Sequence, residues 1–318
     1  VGMTHSASAN SEHNACNITS ASAPASEKPV KRMTAGERAG IPPRRMDFEF
    51  ADNTQRYWYR NSPFLTTFWS TLSALFPEGE TFFVDSVRNY RKDITDPLLK
   101  DQITGFIGQE AMHSKEHKAF NDLAEKHGLP AGKLDKELGV LLRFARRTLP
   151  KKHQLAVTVA LEHYTAILAE QLLRDPSHQA NIQDPEALKL WMWHALEENE
   201  HKVVAYDVYR QVGGGYLHRI LTMLVVTLFF FAVVGSGHLR LLAADRKLFD
   251  IKGNLKGFWY LWGPRGLFPK LLPQYLDFFR PGFHPSQHDT VQLLDDWREK
   301  MLRPGGMLAD QIKLRSAG

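Results

Sequence analysis

Glutamate and histidine recur in this chain at spacings that suit metal ligation. Glu110-Ala-Met-His113 and Glu198-Asn-Glu-His201 are both Glu-x-x-His, and an i, i+3 pair on a helix projects from one face. Glu80 precedes the first pair and Glu162 lies between the two, so the order is Glu, Glu-x-x-His, Glu, Glu-x-x-His. Carboxylates and imidazoles without thiolates suit iron or manganese, and the same donors can hold zinc. The favoured cofactor is a pair of iron ions, with manganese or zinc as alternatives. His194 stands one turn before Glu198 and reads either as a third imidazole ligand or as a core histidine bonded to a carboxylate. His117, one turn beyond His113, reads as a ligand, as an outer partner of a ligand, or as a proton shuttle. For Glu80 the alternative is a first-turn acid that complements a helix dipole, and for Glu162 a surface acid at a helix edge. Glu197 and Glu200 flank the ligand face, as solvated acids or outer partners. His163 falls off the face, and His13, His127, His153, His178 and His288 are expected at the surface.

Helices must carry these residues, because strand alternation and hairpin turns are absent and helix signals dominate from about residue 55. Residues 55–76 form an aromatic-rich lead-in, and Pro77-Glu-Gly79 is expected to interrupt it before a segment over 80–91. Asp96-Pro97 caps a long helix that Gly128-Leu-Pro130 ends; Pro150 opens the next, which stops near Pro176. Asp184-Pro185 repeats the cap and starts a helix running to Gly213. Two faces are diagnostic. One runs Leu99, Ile103, Phe106, Glu110, His113, His117, Phe120; the other runs Leu190, His194, Glu198, His201, Ala205, Val208. Both are apolar stripes with ionisable centres, whereas a solvated face would be polar throughout. Buried charge is costly unless it is paired or metal-bound. The pattern predicts an all-α, ferritin-like four-helix bundle with a dinuclear metal centre between the helices.

Four segments carry a resemblance: Phe76-Pro-Glu-Gly-Glu80-Thr-Phe-Phe83, Gln109-Glu-Ala-Met-His113-Ser-Lys-Glu-His117, Leu161-Glu-His-Tyr-Thr165 and Trp193-His-Ala-Leu-Glu-Glu-Asn-Glu-His-Lys202. From about Phe48 to Trp297 the chain resembles the bacterial family catalogued as predicted metal-dependent hydrolases, which implies metal dependence. The His-x-x-x-Glu-x-x-His segment is also similar to that of di-iron arylamine N-oxygenases. By position, that similarity implies the ligand set Glu80, Glu110, His113, Glu162, His194, Glu198 and His201, and it says nothing about substrate.

The remaining composition narrows the function. The net charge of +5 is spread in short clusters, which does not make a nucleic-acid footprint. The one cysteine, Cys16, excludes a disulfide within the chain and fits a reducing, cytoplasmic setting. Residues 1–45 read as a disordered tail without the apolar run of a secretory leader. Residues 46–246 form the metal domain, including an apolar helix over 216–246, and 247–318 a loop-rich aromatic extension with a short helix from Asp289. Within the apolar helix, 220–234 is borderline for a membrane span. Its alternatives are a buried helix or dimer interface, and membrane-interface contact supported by the Trp, Tyr and Lys that follow. The expected function is O2-dependent oxidation or oxygenation of a hydrophobic small molecule, with an electron donor. The alternatives are hydrolysis at the dinuclear site and non-catalytic iron binding.

Overall fold

The computed structural model describes residues 33–312, and among them no strand forms, only an isolated bridge between Tyr59 and Ile182. The helices in chain order are α1 (Ala35–Arg38), α2 (Pro63–Arg88), α3 (Pro97–Lys126), α4 (Ala131–Thr148), α5 (Lys151–Arg174), α6 (Pro176–Ala180), α7 (Pro185–His201), α8 (Val204–Gln211), α9 (Tyr216–Ala244), α10 (Ile251–Trp262), α11 (Leu267–Asp277) and α12 (Val291–Leu302). The centre is made by α2, α3, α5 and α7: α2 packs on α3 and α5, and α7 packs on the same two. The protein is all-α, as its periodicity predicts.

Capped prolines start three of these four helices. Ser62 Oγ accepts from Leu65 N at 3.3 Å, Asp96 Oδ1 from Leu98 N at 2.8 Å, and Asp184 Oδ1 from Ala187 N at 2.8 Å. Each precedes a proline whose missing N–H would be unpaired there anyway. α3 ends where Gly128 adopts φ +80° and Leu129 N returns to Ala124 O at 2.9 Å, a reversal that favours glycine.

Four expectations are corrected. Pro77 and Gly79 do not break α2, which runs unbroken from Pro63 to Arg88. A proline inside a helix leaves the carbonyl four residues earlier without its donor. Here that carbonyl is Ser73 O, and Asn121 Nδ2 of α3 donates to it at 3.1 Å. α4 is a helix the reading left out; it packs on α2 and buries Ala131, Leu134 and Gly139. The last core helix stops at His201, and α8 resumes at Val204. The stretch expected to be loop-rich holds α10 and α11, while the short terminal helix expected near Asp289 is α12.

The expected tail divides at its described edge. Residues 1–32 lie outside the described residues, but 33–45 belong to the fold: α1 rests on α3, and Ile41 is buried. Two glycines of α3 permit this approach. A Cβ on Gly105 would stand 2.4 Å from Ile41 O, and one on Gly108 2.4 Å from Pro43 Cγ. Packed so closely, the segment carries Arg44 to α7.

α9 lies along α2 and α5 with Met223, Val226 and Leu241 inward. It is long and apolar enough to cross a membrane, yet only 28% of its most apolar stretch is buried.

Candidate metal centre

Each core helix delivers its expected residue to one point. Glu80 comes from α2, Glu110 and His113 from α3, Glu162 from α5, and His194, Glu198 and His201 from α7; all are buried. Donor atoms of Glu80, His113 and His194 lie within 4.8 Å of one another, as do those of Glu110, Glu198 and His201. Glu162 Oε2 stands 3.7 Å from His201 Nε2 and so joins the second group.

Two carboxylates reach both groups. Glu110 sets Oε1 3.1 Å from His201 Nε2 and Oε2 3.9 Å from His113 Nδ1. Glu198 Oε1 is 2.9 Å from His194 Nε2, 3.6 Å from His113 Nδ1 and 3.7 Å from His201 Nε2. Ligands about 2.1 Å from one ion, arranged tetrahedrally, stand about 3.4 Å apart. The observed spacings are of that size.

The donor set itself tests whether metal fits. Eight buried atoms here have no hydrogen-bond partner: Glu80 Oε1, both oxygens of Glu110 and of Glu162, Glu198 Oε2, His113 Nδ1 and His201 Nε2. An unsatisfied buried polar atom costs about 1–3 kcal/mol, so such a cluster calls for a ligand common to all of them. Four carboxylates balance two divalent cations. The residues fit.

Outer hydrogen bonds turn each imidazole lone pair inward. His113 Nε2 bonds Glu197 Oε2 at 3.1 Å, and an ionised Glu197 holds the proton on that nitrogen and leaves Nδ1 free. His201 Nδ1 bonds Gln109 Oε1 at 2.9 Å, while Gln109 Nε2 donates to Glu200 Oε2 at 2.8 Å; His201 is therefore the donor and its Nε2 is free. His194 is fixed through a longer chain. Asn121 Nδ2 donates to Ser73 O, so Oδ1 accepts from Ser73 Oγ at 2.7 Å. Ser73 Oγ then accepts from His117 Nδ1 at 2.8 Å, and His117 Nε2 accepts from His194 Nδ1 at 2.6 Å. His194 Nε2 keeps its lone pair for the centre. His117 is thus an outer partner of His194.

Glu197 and Glu200 are likewise outer partners, their side chains out of solvent and held by Arg44 at 2.8 Å each. Arg298 supports Glu200 at 2.9 Å. His163 points away, bonding Gln274 O at 3.0 Å. His178, expected at the surface, is buried against Trp69 with ring centroids 5.2 Å apart, while His127, His153 and His288 are half-buried. His13 lies outside the described residues. Ser73, Asn121, Gln109 and Arg44 are functional residues that the sequence pattern did not reveal. Asn121 had a usable signal, one turn beyond His117, whereas Arg44 had none because its partner Glu197 is 153 residues away.

Without cations the site is electrostatically strained. Burial, followed by the charges of Glu110 and Glu198, pushes Glu80 well above the usual carboxylate range. Burial and Glu198 raise Glu110, and burial and Glu110 raise Glu162. Burial and His194 drive His113 well below the usual histidine value. His201 moves the other way: burial pulls it down, but Glu198 and Glu162 overcome this and lift it to about 9. Burial raises Glu197 to about 8 against the pull of Arg44.

A cavity of about 50 Å³ meets the centre at His194 and Glu198, walled by Leu72, Phe76, Tyr164, Leu168, Trp191 and Phe230. It is apolar except where it touches the two ligating candidates.

Residues 42–289 match the model of a family described as predicted metal-dependent hydrolases. No curated protein and no solved structure matches the chain.

Proposed function

The chain belongs to the family of predicted metal-dependent hydrolases, and from that premise we propose that it is an enzyme working through a pair of metal ions. Glu80, His113 and His194 would hold one ion and Glu162 and His201 the other, with Glu110 and Glu198 within reach of both groups. The observation that carries this reading is the convergence of eight unpartnered donor atoms from six residues in a buried core.

Such ions supply Lewis acidity that activates water against an ester or phosphate, or, as iron, electrons to O2. The family description supports hydrolysis, which replaces O2-dependent oxidation as the first reading. Oxidation of a hydrophobic molecule, with an electron donor, stands second. One observation favours it: an all-carboxylate and imidazole donor set beside a mostly apolar cavity, a setting that suits O2 and an apolar substrate. In either reaction the chain's own part is the same. Glu197, Gln109 and His117 orient the imidazoles, and the aromatic wall of the cavity seats the substrate's apolar portion against His194 and Glu198. The lone cysteine supports a cytoplasmic setting.

The deciding experiment is metal analysis of protein purified without air, followed by two assays. Hydrolysis is upheld if zinc- or manganese-loaded protein cleaves long-chain p-nitrophenyl esters or phosphodiesters while the ferrous form ignores O2. O2 consumption by the ferrous form, with no cleavage by any metal form, establishes oxidation in its place. Protein with no bound metal after either route defeats both readings.

A further inference from the structure

We propose that the outward apolar stripes of α9 and α10 dock on an anionic lipid surface and pass a lipophilic substrate to the cavity beside His194. The docking stands on the surface alone; the substrate class rests on the proposed metal enzyme.

α10 is amphipathic with its apolar side turned to solvent. Ile251, Leu255, Phe258, Trp259 and Trp262 stand at i, i+4, i+7, i+8 and i+11, so they form one stripe, and all are exposed, Trp259 at 64%. The side facing the protein is thin, burying only Gly257 and Leu261. Gly257 is what lets α10 settle there, since a Cβ would stand 2.2 Å from Phe64 Cδ1. α9 repeats the arrangement: Leu217, Leu221, Leu224, Val225 and Leu228 follow the same spacing and face outward, Leu228 at 73% exposure. The two helices meet at Phe231 and Trp262, whose rings lie 5.3 Å apart, and exposed apolar surface of this kind marks an interaction site.

The fringe identifies the partner. From Arg246 to Lys270 the chain holds six basic residues, of which Lys270 pairs with Asp175 at 3.0 Å, and one acid, Asp250, which caps α10 at Gly253 N. Lys252 and Lys256 flank the exposed stripe of α10. Tryptophan, phenylalanine and lysine so mixed suit the level of lipid headgroups. A symmetric dimer through this face would set the basic fringe of one copy near that of the other, whereas anionic lipid attracts it.

The face lies on the membrane and does not cross it, because the inner side of α9 is tied to the bundle. Arg219 Nη1 donates to Tyr206 Oη at 2.7 Å and Nη2 to Arg280 O at 2.9 Å, while His238 Nε2 bonds Phe64 O at 2.9 Å. Spanning would strip these groups of their partners. Aromatic rings then connect patch to cavity. Trp262 lies 5.3 Å from Phe231, Phe231 5.5 Å from Phe230, and Phe230 stacks on Tyr164 at 4.9 Å. Phe230 and Tyr164 both wall the cavity that reaches His194 and Glu198. A chain leaving the acyl region beside Trp262 would enter past Phe231 and Phe230, beside Phe268.

The test is flotation of the full, metal-loaded chain with phosphatidylcholine vesicles, with and without phosphatidylglycerol. The protein is expected to float with the anionic vesicles, and less so at high salt. Phe258→Glu with Trp259→Glu should cut partition roughly tenfold or more, and Lys252→Gln or Lys256→Gln roughly fivefold each. These side chains are exposed, so the variants should keep the parent's metal content and melting temperature. Loss of the metals with flotation retained would sink the enzyme reading and leave docking standing. Docking is overturned if the parent ignores anionic vesicles, or if the double variant floats as the parent does. It is equally overturned if light scattering finds a dimer that the double variant dissolves while vesicles are ignored.

Discussion

Ser73→Ala tests whether the metal centre depends on a hydrogen-bond chain that begins outside it. The Ser73 hydroxyl receives the His117 Nδ1 proton at 2.8 Å and gives its own to Asn121 Oδ1 at 2.7 Å. Without it, two buried polar atoms lose their partner, at about 1–3 kcal/mol for each group left unsatisfied. His117 can escape by moving its proton to Nε2, but that atom is 2.6 Å from His194 Nδ1. His194 must then carry its proton on Nε2, the atom that faces Glu80 and Glu198 and must be bare to ligate. The same energy is thus drawn from folding or from metal binding. Taken from binding, it lowers affinity at the ion held by Glu80, His113 and His194 by roughly tenfold to a hundredfold, the usual effect of losing a ligand's outer partner. The assay is a competition titration against a coloured chelator, resolving the two sites, beside a thermal melt of the metal-free protein. Ser86→Ala is the control, because Ser86 Oγ is also buried on α2 and bonds Thr158 Oγ1 at 2.7 Å, away from the histidines. It should cost stability and leave both affinities intact. If Ser73→Ala binds both ions as tightly as the parent, or weakens both sites equally, the directional chain is wrong.

Three further outcomes are expected. Single alanine substitutions of Glu110, His113, Glu198 and His201 should each lower metal content measured by plasma emission; two of them retaining full occupancy would defeat the assignment. Metal-free protein should lose stability as pH rises from 6.5 through about 9, because His201 is lifted from 6.5 to about 9 and the stability it brings is complete only below its unfolded value. The raised pKa values of Glu80, Glu110 and Glu162 act in the same direction, the folded state holding protons the unfolded chain has released. Loaded protein should lack this decline, and metal uptake should release protons; parallel melting curves across that range would refute the coupling. Arg44→Met leaves Glu197 facing His113 without its cation and should cost about 3–5 kcal/mol, read from chemical denaturation, and an unchanged midpoint would show the pair to be dispensable.

What the sequence reveals and what it hides divide by distance along the chain. Glu-x-x-His, Asp-Pro caps and apolar stripes are local patterns of period 3.6, so the starts of α3, α5 and α7 and the two Glu-x-x-His faces are legible from single segments. α10 is hidden for a different reason: Gly253 and Gly257, on the side opposite its apolar stripe, lower the helix propensity of a twelve-residue segment, which therefore reads as loop. Arg44 reads as tail because its carboxylates lie 153 and 156 residues ahead. Pro77 shows the limit most sharply. A proline followed closely by glycine is a sound helix-break signal, and it fails here because a side chain on another helix replaces the lost donor, Asn121 reaching back 48 residues to Ser73 O. That replacement has a consequence at the centre. The carbonyl that Pro77 leaves unpaired fixes which end of the Asn121 amide is the donor, and through Ser73 and His117 that choice sets the proton on His194. An ordinary residue at position 77 would give Ser73 O its helical partner and release Asn121 to turn. The residue that misdirects the helix boundary is therefore the one from which the orientation of a candidate ligand follows.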